Sequence, residues 1–221
     1  MVEREITGIQ VQKRNPDRVN IYLDGEYAFG LSRIVAAWLY KGQKLTDEKI
    51  NALCSDDGIE VAYQKALNLI SRKQRTSHEI RQKLIEKGFS DSQISAVIDK
   101  LKIAGLIEDE EFARLWVENR NSYHPRSQRL MRLELLQKGI SNHTIEKALT
   151  GSADDAELAT QAAVQQIRKY RDLTWEDFRK KLTAYLLRRG FSYGTVAPVV
   201  HSVWESVHEG QIQTENEEFG E

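Results

Sequence analysis

Apolar and polar residues alternate near the start of the chain. Ile9 and Val11, then Val19, Ile21 and Leu23, and after Asp24-Gly25 the positions Tyr27, Phe29 and Leu31 follow the two-residue period of a half-buried strand. The pattern predicts a small β-hairpin or meander with two competing registers. A two-residue Asp24-Gly25 turn pairs Leu23 with Glu26 and splits the apolar positions between both faces. A three-residue loop instead sets Val19, Ile21 and Leu23 opposite Leu31, Phe29 and Tyr27. The Asp-Gly turn is the preferred reading. Residues 34–40, closed by Lys41-Gly42, predict a short helix, and Thr46-Asp47-Glu48 opens another that ends near Cys54.

From about Gly58 the period lengthens to that of a helix, and a repeat emerges. Lys87-Gly88-Phe89-Ser90, Lys138-Gly139-Ile140-Ser141 and Arg189-Gly190-Phe191-Ser192 place their glycines 51 residues apart. Leu84, Leu135 and Leu186 precede the glycines by four, Ile80, Met131 and Leu182 by eight, while Ile94, Ile145 and Val196 follow by six. Each set marks one helix face on either side of a turn. The turn chemistry fits: glycine ends a helix in the left-handed conformation, the next apolar residue folds back, and serine caps the following helix. Thr76 with Glu79 and Ser90 with Gln93 have capping-box spacing, and Ser127 lies 51 residues after Thr76. A further helix precedes each pair, over residues 61–74, 109–120 and 155–171.

The expected fold is therefore mainly α, with three tandem three-helix, helix-turn-helix-like repeats forming an elongated curved array behind a small N-terminal β segment. The boundaries are 1–57 for the hairpin and short helices, 58–106, 107–150 and 151–209 for the repeats, and 210–221 for an acidic flexible tail. Pro198 suits the first turn of a helix, which predicts that the last helix starts late, near Thr195.

Several chemistries are excluded early. The longest apolar run, residues 34–40, is far short of the roughly 18 residues of a membrane span, and Glu3 and Glu5 do not suit a secretion signal. A single cysteine, Cys54, has no partner for a disulfide or a zinc site, fits a reducing compartment, and reads as a buried or idle thiol. Neither Gly8 nor Gly25 belongs to a phosphate-binding loop. His78, His124, His143, His201 and His208 are scattered, without carboxylates at ligand spacing. The acids Glu108-Asp109-Glu110-Glu111 suit a helix N-terminus better than a metal or acid-base site. No cofactor is called for, and an enzyme is not expected.

Charge supplies the functional lead. The 221 residues carry 32 Lys and Arg against 33 Asp and Glu, a net charge of −1. Split by region, 58–106 holds +4 and the tail −4, so neutrality is a sum of opposites. Arg72, Lys73, Arg75, Arg81, Lys83 and Lys87 crowd the first repeat, Arg126, Arg129 and Arg132 the second, and Arg179, Lys180, Lys181, Arg188 and Arg189 the third. A three-residue step puts Arg126, Arg129 and Arg132 along one side of a helix. Any one of these cations serves equally as a solvated helix face, but recurrence in three repeats points to an extended binding surface. Tyr123, Tyr170, Tyr185 and Trp175 are candidates for stacking on bases or for the core.

Leu106-Ile107-Glu108-Asp109-Glu110-Glu111-Phe112-Ala113 with Val117 and Arg120, then Pro125-Arg126-Ser127 leading to Glu134-Leu135 and Lys138-Gly139-Ile140, resembles the RecX family of bacterial recombination regulators. Arg75-Thr76-Ser77-Glu79 through Lys87-Gly88-Phe89 is similar to that family's first repeat. The likeness covers residues 58–209, is weaker in the third repeat, and extends to the N-terminal segment of longer members. It implies a cytoplasmic protein of homologous recombination, DNA repair and the SOS response. It also implies a monomer that binds the RecA filament on single-stranded DNA, lodges in its helical groove, and inhibits ATP hydrolysis, strand exchange and co-protease activity. The rival is a helix-turn-helix regulator acting on duplex DNA without RecA. Its reading helices, residues 92–105 and 143–150, offer few Arg, Asn or Gln side chains for base edges.

Overall fold

The structure, a computed structural model, describes residues 3–218, the side chains of 208–218 excepted. The chain divides into two compact units, with the boundary between Glu108 and Asp109.

The first unit opens with an antiparallel sheet of β1 (Glu3–Gln12), β2 (Asn15–Leu23), β3 (Glu26–Ser32) and β4 (Lys44–Thr46), in the order β3-β2-β1-β4. Both readings of the hairpin are realised in part. Leu23 pairs with Glu26 across the Asp24-Gly25 turn, whose residues have φ of 49° and 93°. Tyr22 then pairs with Tyr27 but Ile21 with Phe29, so Ala28 is a bulge residue. That extra residue restores Val19, Ile21 and Leu31 to a single buried face. They pack with Ile6, Leu23 and Leu45 against Ala36, Ile50 and Leu53. Residues 34–40 form only a short 3-10 turn, Val35–Trp38.

Helix α1 (Asp47–Ile70) begins as predicted, with the Thr46 hydroxyl accepting the Lys49 amide at 3.3 Å. It does not end near Cys54. One unbroken helix runs through Gly58, joining the sheet to the first repeat. Glycine fits at this mid-helix position because a Cβ there would run into the Gln93 side chain. The largely buried Arg18–Asp57 ion pair, 2.7 Å, ties this helix to the sheet. With α2 (Ser77–Ile85) and α3 (Asp91–Ile103), α1 encloses a second core of Ala62, Ala66, Ile80, Leu84, Ile94, Val97 and Leu101.

The second unit holds α4 (Asp109–Tyr123), α5 (Gln128–Gln137) and α6 (Asn142–Leu149), followed by α7 (Asp155–Val164), α8 (Ile167–Tyr170), α9 (Trp175–Arg188) and α10 (Tyr193–Glu218). The helix predicted over 155–171 is thus broken after Val164. The second and third repeats share one core, in which Trp204 sits 5.0 Å from Phe178 and 5.3 Å from Trp175 between ring centres.

The residues that define the repeat carry all three units. Leu84, Leu135 and Leu186 have no exposed surface, nor do Ile80 and Met131, and Leu182 has 1%. Gly88, Gly139 and Gly190 have φ of 80°, 75° and 90°. The amides of Phe89, Ile140 and Phe191 reach back to the carbonyls of Leu84, Leu135 and Leu186, at 3.3, 3.1 and 3.4 Å. This is the Schellman closure that the glycine permits.

The last helix departs from expectation at both ends. Ser192 caps it through the Thr195 amide, 3.2 Å, so it starts at Tyr193 and Pro198 lies inside, where the Gly194 carbonyl loses its helical donor. Its backbone continues to Glu218, through most of the segment expected to be a flexible acidic tail, while residues 219–221 lie outside the described residues.

Candidate binding surface on the second helices

The glycine turn that closes α2, α5 and α9 also sets which side chains those helices present outward. With the residues four and eight before glycine buried, the position three before it must face solvent, since helical geometry rotates it away from the core stripe. That position is Ile85, Leu136 and Leu187, exposed to 46%, 40% and 44%. Single exposed apolar residues are ordinary. An apolar residue left in water at the same place in three repeats is a shared surface feature. The residue just before each glycine is a cation, Lys87, Lys138 or Arg189. On α5 the exposed residues Arg129, Leu133 and Leu136 lie along one face with half-buried Arg132, alternating positive and apolar groups. The apolar members are missed by reading charge alone, although their own 51-residue spacing is visible in the sequence.

The structure sorts the predicted basic residues into committed and uncommitted groups. In the first repeat Arg72 and Lys73 are exposed in the turn before α2, and Lys87 is exposed at its end. Arg75 instead donates to the Leu69 carbonyl at 3.3 Å, Arg81 lies 3.9 Å from Asp91, and Lys83 pairs with Glu86 at 2.7 Å. In the third repeat Arg188 is exposed with Arg179, Lys180 and Lys181, whereas the Arg189 guanidinium sits 5.0 Å from the Tyr185 ring centre.

The second repeat corrects the predicted Arg126-Arg129-Arg132 stripe. Ser127 is the extended N-cap residue of α5, so Arg126 precedes the helix and cannot share its face. Its guanidinium pairs with Glu134, whose other oxygen accepts from Arg120 Nε at 3.1 Å and Trp116 Nε1 at 2.9 Å. Arg120 stacks 4.5 Å from the centre of the Trp116 ring, and Lys138 lies 4.9 Å from it. Arg132 pairs with Glu146, leaving Arg129 as the uncommitted cation of the three among the described residues.

Electrostatics agree with that division. Burial pushes the proton affinities of Arg120 and Arg126 down, with neighbouring Arg120 and Arg189 adding to the effect on Arg126. The hydrogen bond to Glu146 raises that of Arg132 and holds the Glu146 carboxyl below its ordinary range. Glu110 is lowered by its bond to Lys147 and Glu111 by its bond to Arg114, so this acidic run serves the start of α4. Arg126 and Arg132 are structural, and the outward charge of the predicted basic clusters comes from Arg72, Lys73, Lys87, Arg129 and Arg188 together with Arg179, Lys180 and Lys181.

Of the candidate stacking residues, Tyr170, Tyr185 and Trp175 pack against the core, and Tyr123 is exposed. Cys54 is exposed rather than buried; partial desolvation and the nearby Asp57 carboxylate raise its pKa, which disfavours the thiolate. Among the described residues no group of three His, Cys, Asp or Glu side chains converges as a metal site, and no helix is long and apolar enough to cross a membrane. His201 lies 3.1 Å from Glu205, and the His208 side chain is outside the described residues.

Comparison with known proteins gives this surface its context. Residues 4–46 match the family description Regulatory protein RecX N-terminal domain, 62–101 RecX, first three-helix domain, 109–149 RecX, second three-helix domain, and 153–200 RecX, third three-helix domain. The chain is 33% identical over 206 residues to Regulatory protein RecX of Clostridium botulinum strain Alaska E43, covering 89% of this chain and 94% of the relative. It is 30% identical over 220 residues to that of Bacillus licheniformis, covering 98% and 84%. A crystal structure of regulatory protein RecX superposes with a TM-score of 0.66 at 31% identity, covering 87% of this chain and 96% of the other. The crystal structure of RecX from Lactobacillus salivarius gives 0.55 at 27% identity, covering 66% and 97%. With all four domains matched in order, the chain belongs to the RecX family of regulatory proteins.

Proposed function

We propose that this protein inhibits the RecA recombinase by binding the RecA filament on single-stranded DNA in its helical groove, lowering ATP hydrolysis, strand exchange and SOS co-protease activity. The observation that carries the reading is the outward face of the second helices. An exposed apolar residue recurs at one repeat position in Ile85, Leu136 and Leu187, with the exposed cations Lys87, Arg129 and Arg188 on or next to the same helices. A filament is itself a periodic array, and a protein with a repeated binding element can engage successive subunits, each engagement adding avidity to the last. The protein acts in the cytoplasm as a monomer, without cofactor or catalysis of its own. DNA binding, direct or through RecA, comes from the uncommitted cations Arg72, Lys73, Lys87, Arg129 and Arg188.

Duplex reading in the helix-turn-helix manner is a poorer fit. A reading helix needs donors facing the groove. The outward faces of α3 and α6 set the acids Asp91, Asp99 and Glu146 among their donors, and of the lysines there Lys100 and Lys147 are paired with Glu60 and Glu110. The deciding measurement is the DNA-stimulated ATPase of the cognate RecA with increasing amounts of this protein. Inhibition at substoichiometric ratios is expected, and no inhibition at any ratio would overturn the proposal.

A further inference from the structure

A cleft of about 590 Å³ opens in the first unit where the β2–β3 edge faces α1. Its size lies within the ordinary range for a ligand site. The lining acid Glu60 is already satisfied, as is Asp57, which holds the lining residues Arg18 and Ser32. Asp57 accepts from Arg18 at 2.7 Å and from the Ser32 amide at 2.6 Å, and Glu60 accepts from Gln64 at 2.9 Å and Lys100 at 3.1 Å. The cations at its rim are not. Arg33 and Lys65 line the opening, exposed, and have no ion pair among the described residues. Asp17 is the one acid on the rim without a cation partner among the described residues, and the exposed Lys13-Arg14 turn next to it in sequence outweighs it. A further donor lies inside: the Ser32 hydroxyl is buried and meets no hydrogen-bond partner among the described residues. A buried hydroxyl without a partner is costly unless something else supplies one.

The 3-10 turn that follows the cleft residue Ile34 ends on exposed aromatic side chains. Ile34 lines the cleft, and Trp38 follows four residues later at the end of the 3-10 turn, about 8 Å on at the ~2.0 Å rise of that helix. Trp38 is 89% exposed, and Tyr40 beside it in sequence is exposed too. No packing in the core accounts for an indole left in water. Cations and a hydroxyl within a few residues of exposed rings are a combination suited to single strands, with phosphates on the charges and unstacked bases on the rings. A carboxylate-rich peptide would use the charges but leave Trp38 idle.

We propose that this cleft binds the phosphodiester backbone of single-stranded nucleic acid, with Arg33, Lys65 and the Ser32 hydroxyl on phosphate and Trp38 stacked on an adjacent base. The site lies between the N-terminal sheet and the first helix of the first repeat, away from the exposed face of α2, and does not depend on RecA. The test is fluorescence anisotropy of a labelled oligo(dT) with the full chain and no RecA, over a salt series. Arg33→Gln with Lys65→Gln weakens binding about tenfold at low salt and lowers the salt slope by about 1.4, at about 0.7 for each phosphate no longer neutralised on a single strand. Trp38→Ala weakens binding with the slope unchanged. Ser32→Ala weakens it less, and both variants keep the circular dichroism of the parent. Unchanged affinity and slope in the folded Gln variant would overturn the proposal. So would displacement of oligo(dT) by poly-glutamate as effectively as by unlabelled oligo(dT). RecA ATPase inhibition is measured on the same variants, so a failure of the cleft is distinguished from a failure of RecA inhibition.

Discussion

Gly190 lies directly against Leu130: a Cβ on the glycine would come within 2.7 Å of the Leu130 Cβ and 2.6 Å of the Ser127 hydroxyl. The glycine turn of the third repeat therefore abuts the N-terminus of α5 in the second. The Ser127 amide donates to the Arg189 carbonyl at 3.1 Å, and Asp155 accepts the Gln128 amide at 2.8 Å. The second and third repeats are locked by the cap of one helix against the C-terminal turn of another.

Gly190→Ala combines an unfavourable positive φ with a steric clash and lowers stability by about 2–4 kcal/mol. Gly88→Ala has the same φ problem but open space around it, so it costs about 1 kcal/mol. Urea denaturation of both variants checks the difference. Equal losses would show that packing at Leu130 contributes nothing.

Glu134 holds Arg120, Arg126 and Trp116, and its side chain is only 13% exposed. Glu134→Ala leaves these guanidinium groups without their anion and destabilises the second unit by about 3 kcal/mol. The loss of the Trp116 hydrogen bond also shifts the tryptophan emission spectrum. A variant that melts with the parent would remove Glu134 from the account of stability.

Leu136→Asp and Ile85→Asp alter exposed positions, so the melting temperature changes little. Inhibition of the RecA ATPase falls about tenfold for each, the effect of weakening binding by roughly 1.4 kcal/mol. Full inhibition by the double variant would exclude this face from RecA binding. Arg129→Glu acts in the same direction and makes inhibition less sensitive to salt, because a cation has been removed.

Glu110, Glu111 and Glu146 are held below the ordinary carboxyl value of 4.5 by Lys147, Arg114 and Arg132. A carboxyl with a lowered folded-state pKa contributes stability above its unfolded-state value, and that contribution is lost as pH falls through the folded-state value. The urea midpoint therefore drops below about pH 4.5, modestly, because these groups are exposed and screened. Glu110→Gln with Glu146→Gln flattens the acid limb, and an unaltered limb would assign the drop to other carboxyls.

The repeat was legible because its chemistry is local. Glycine in the left-handed turn, the apolar residues four and eight before it and the capping serine all act within two turns of helix, so spacing alone displayed them. The Asp24-Gly25 turn was legible for the same reason. The Ala28 bulge was not, since it is decided by which strand face meets the Ile50 and Leu53 face of α1. Charge misled at Arg126 because whether a cation faces water or Glu134 depends on where the helix cap falls and what lies opposite. Cys54 and Gly58 suggested a break that tertiary packing against the sheet and Gln93 overrides.

By itself the sequence determined three glycine-closed helical units and an N-terminal hairpin, because periodicity and turn chemistry are properties of neighbouring residues. Only the tertiary structure decided which cations are free, that Ile85, Leu136 and Leu187 stay in water, and that Ser32, Arg33 and Lys65 gather at one cleft. Those are relations between residues distant in the chain, set by packing and burial, and no local pattern encodes them.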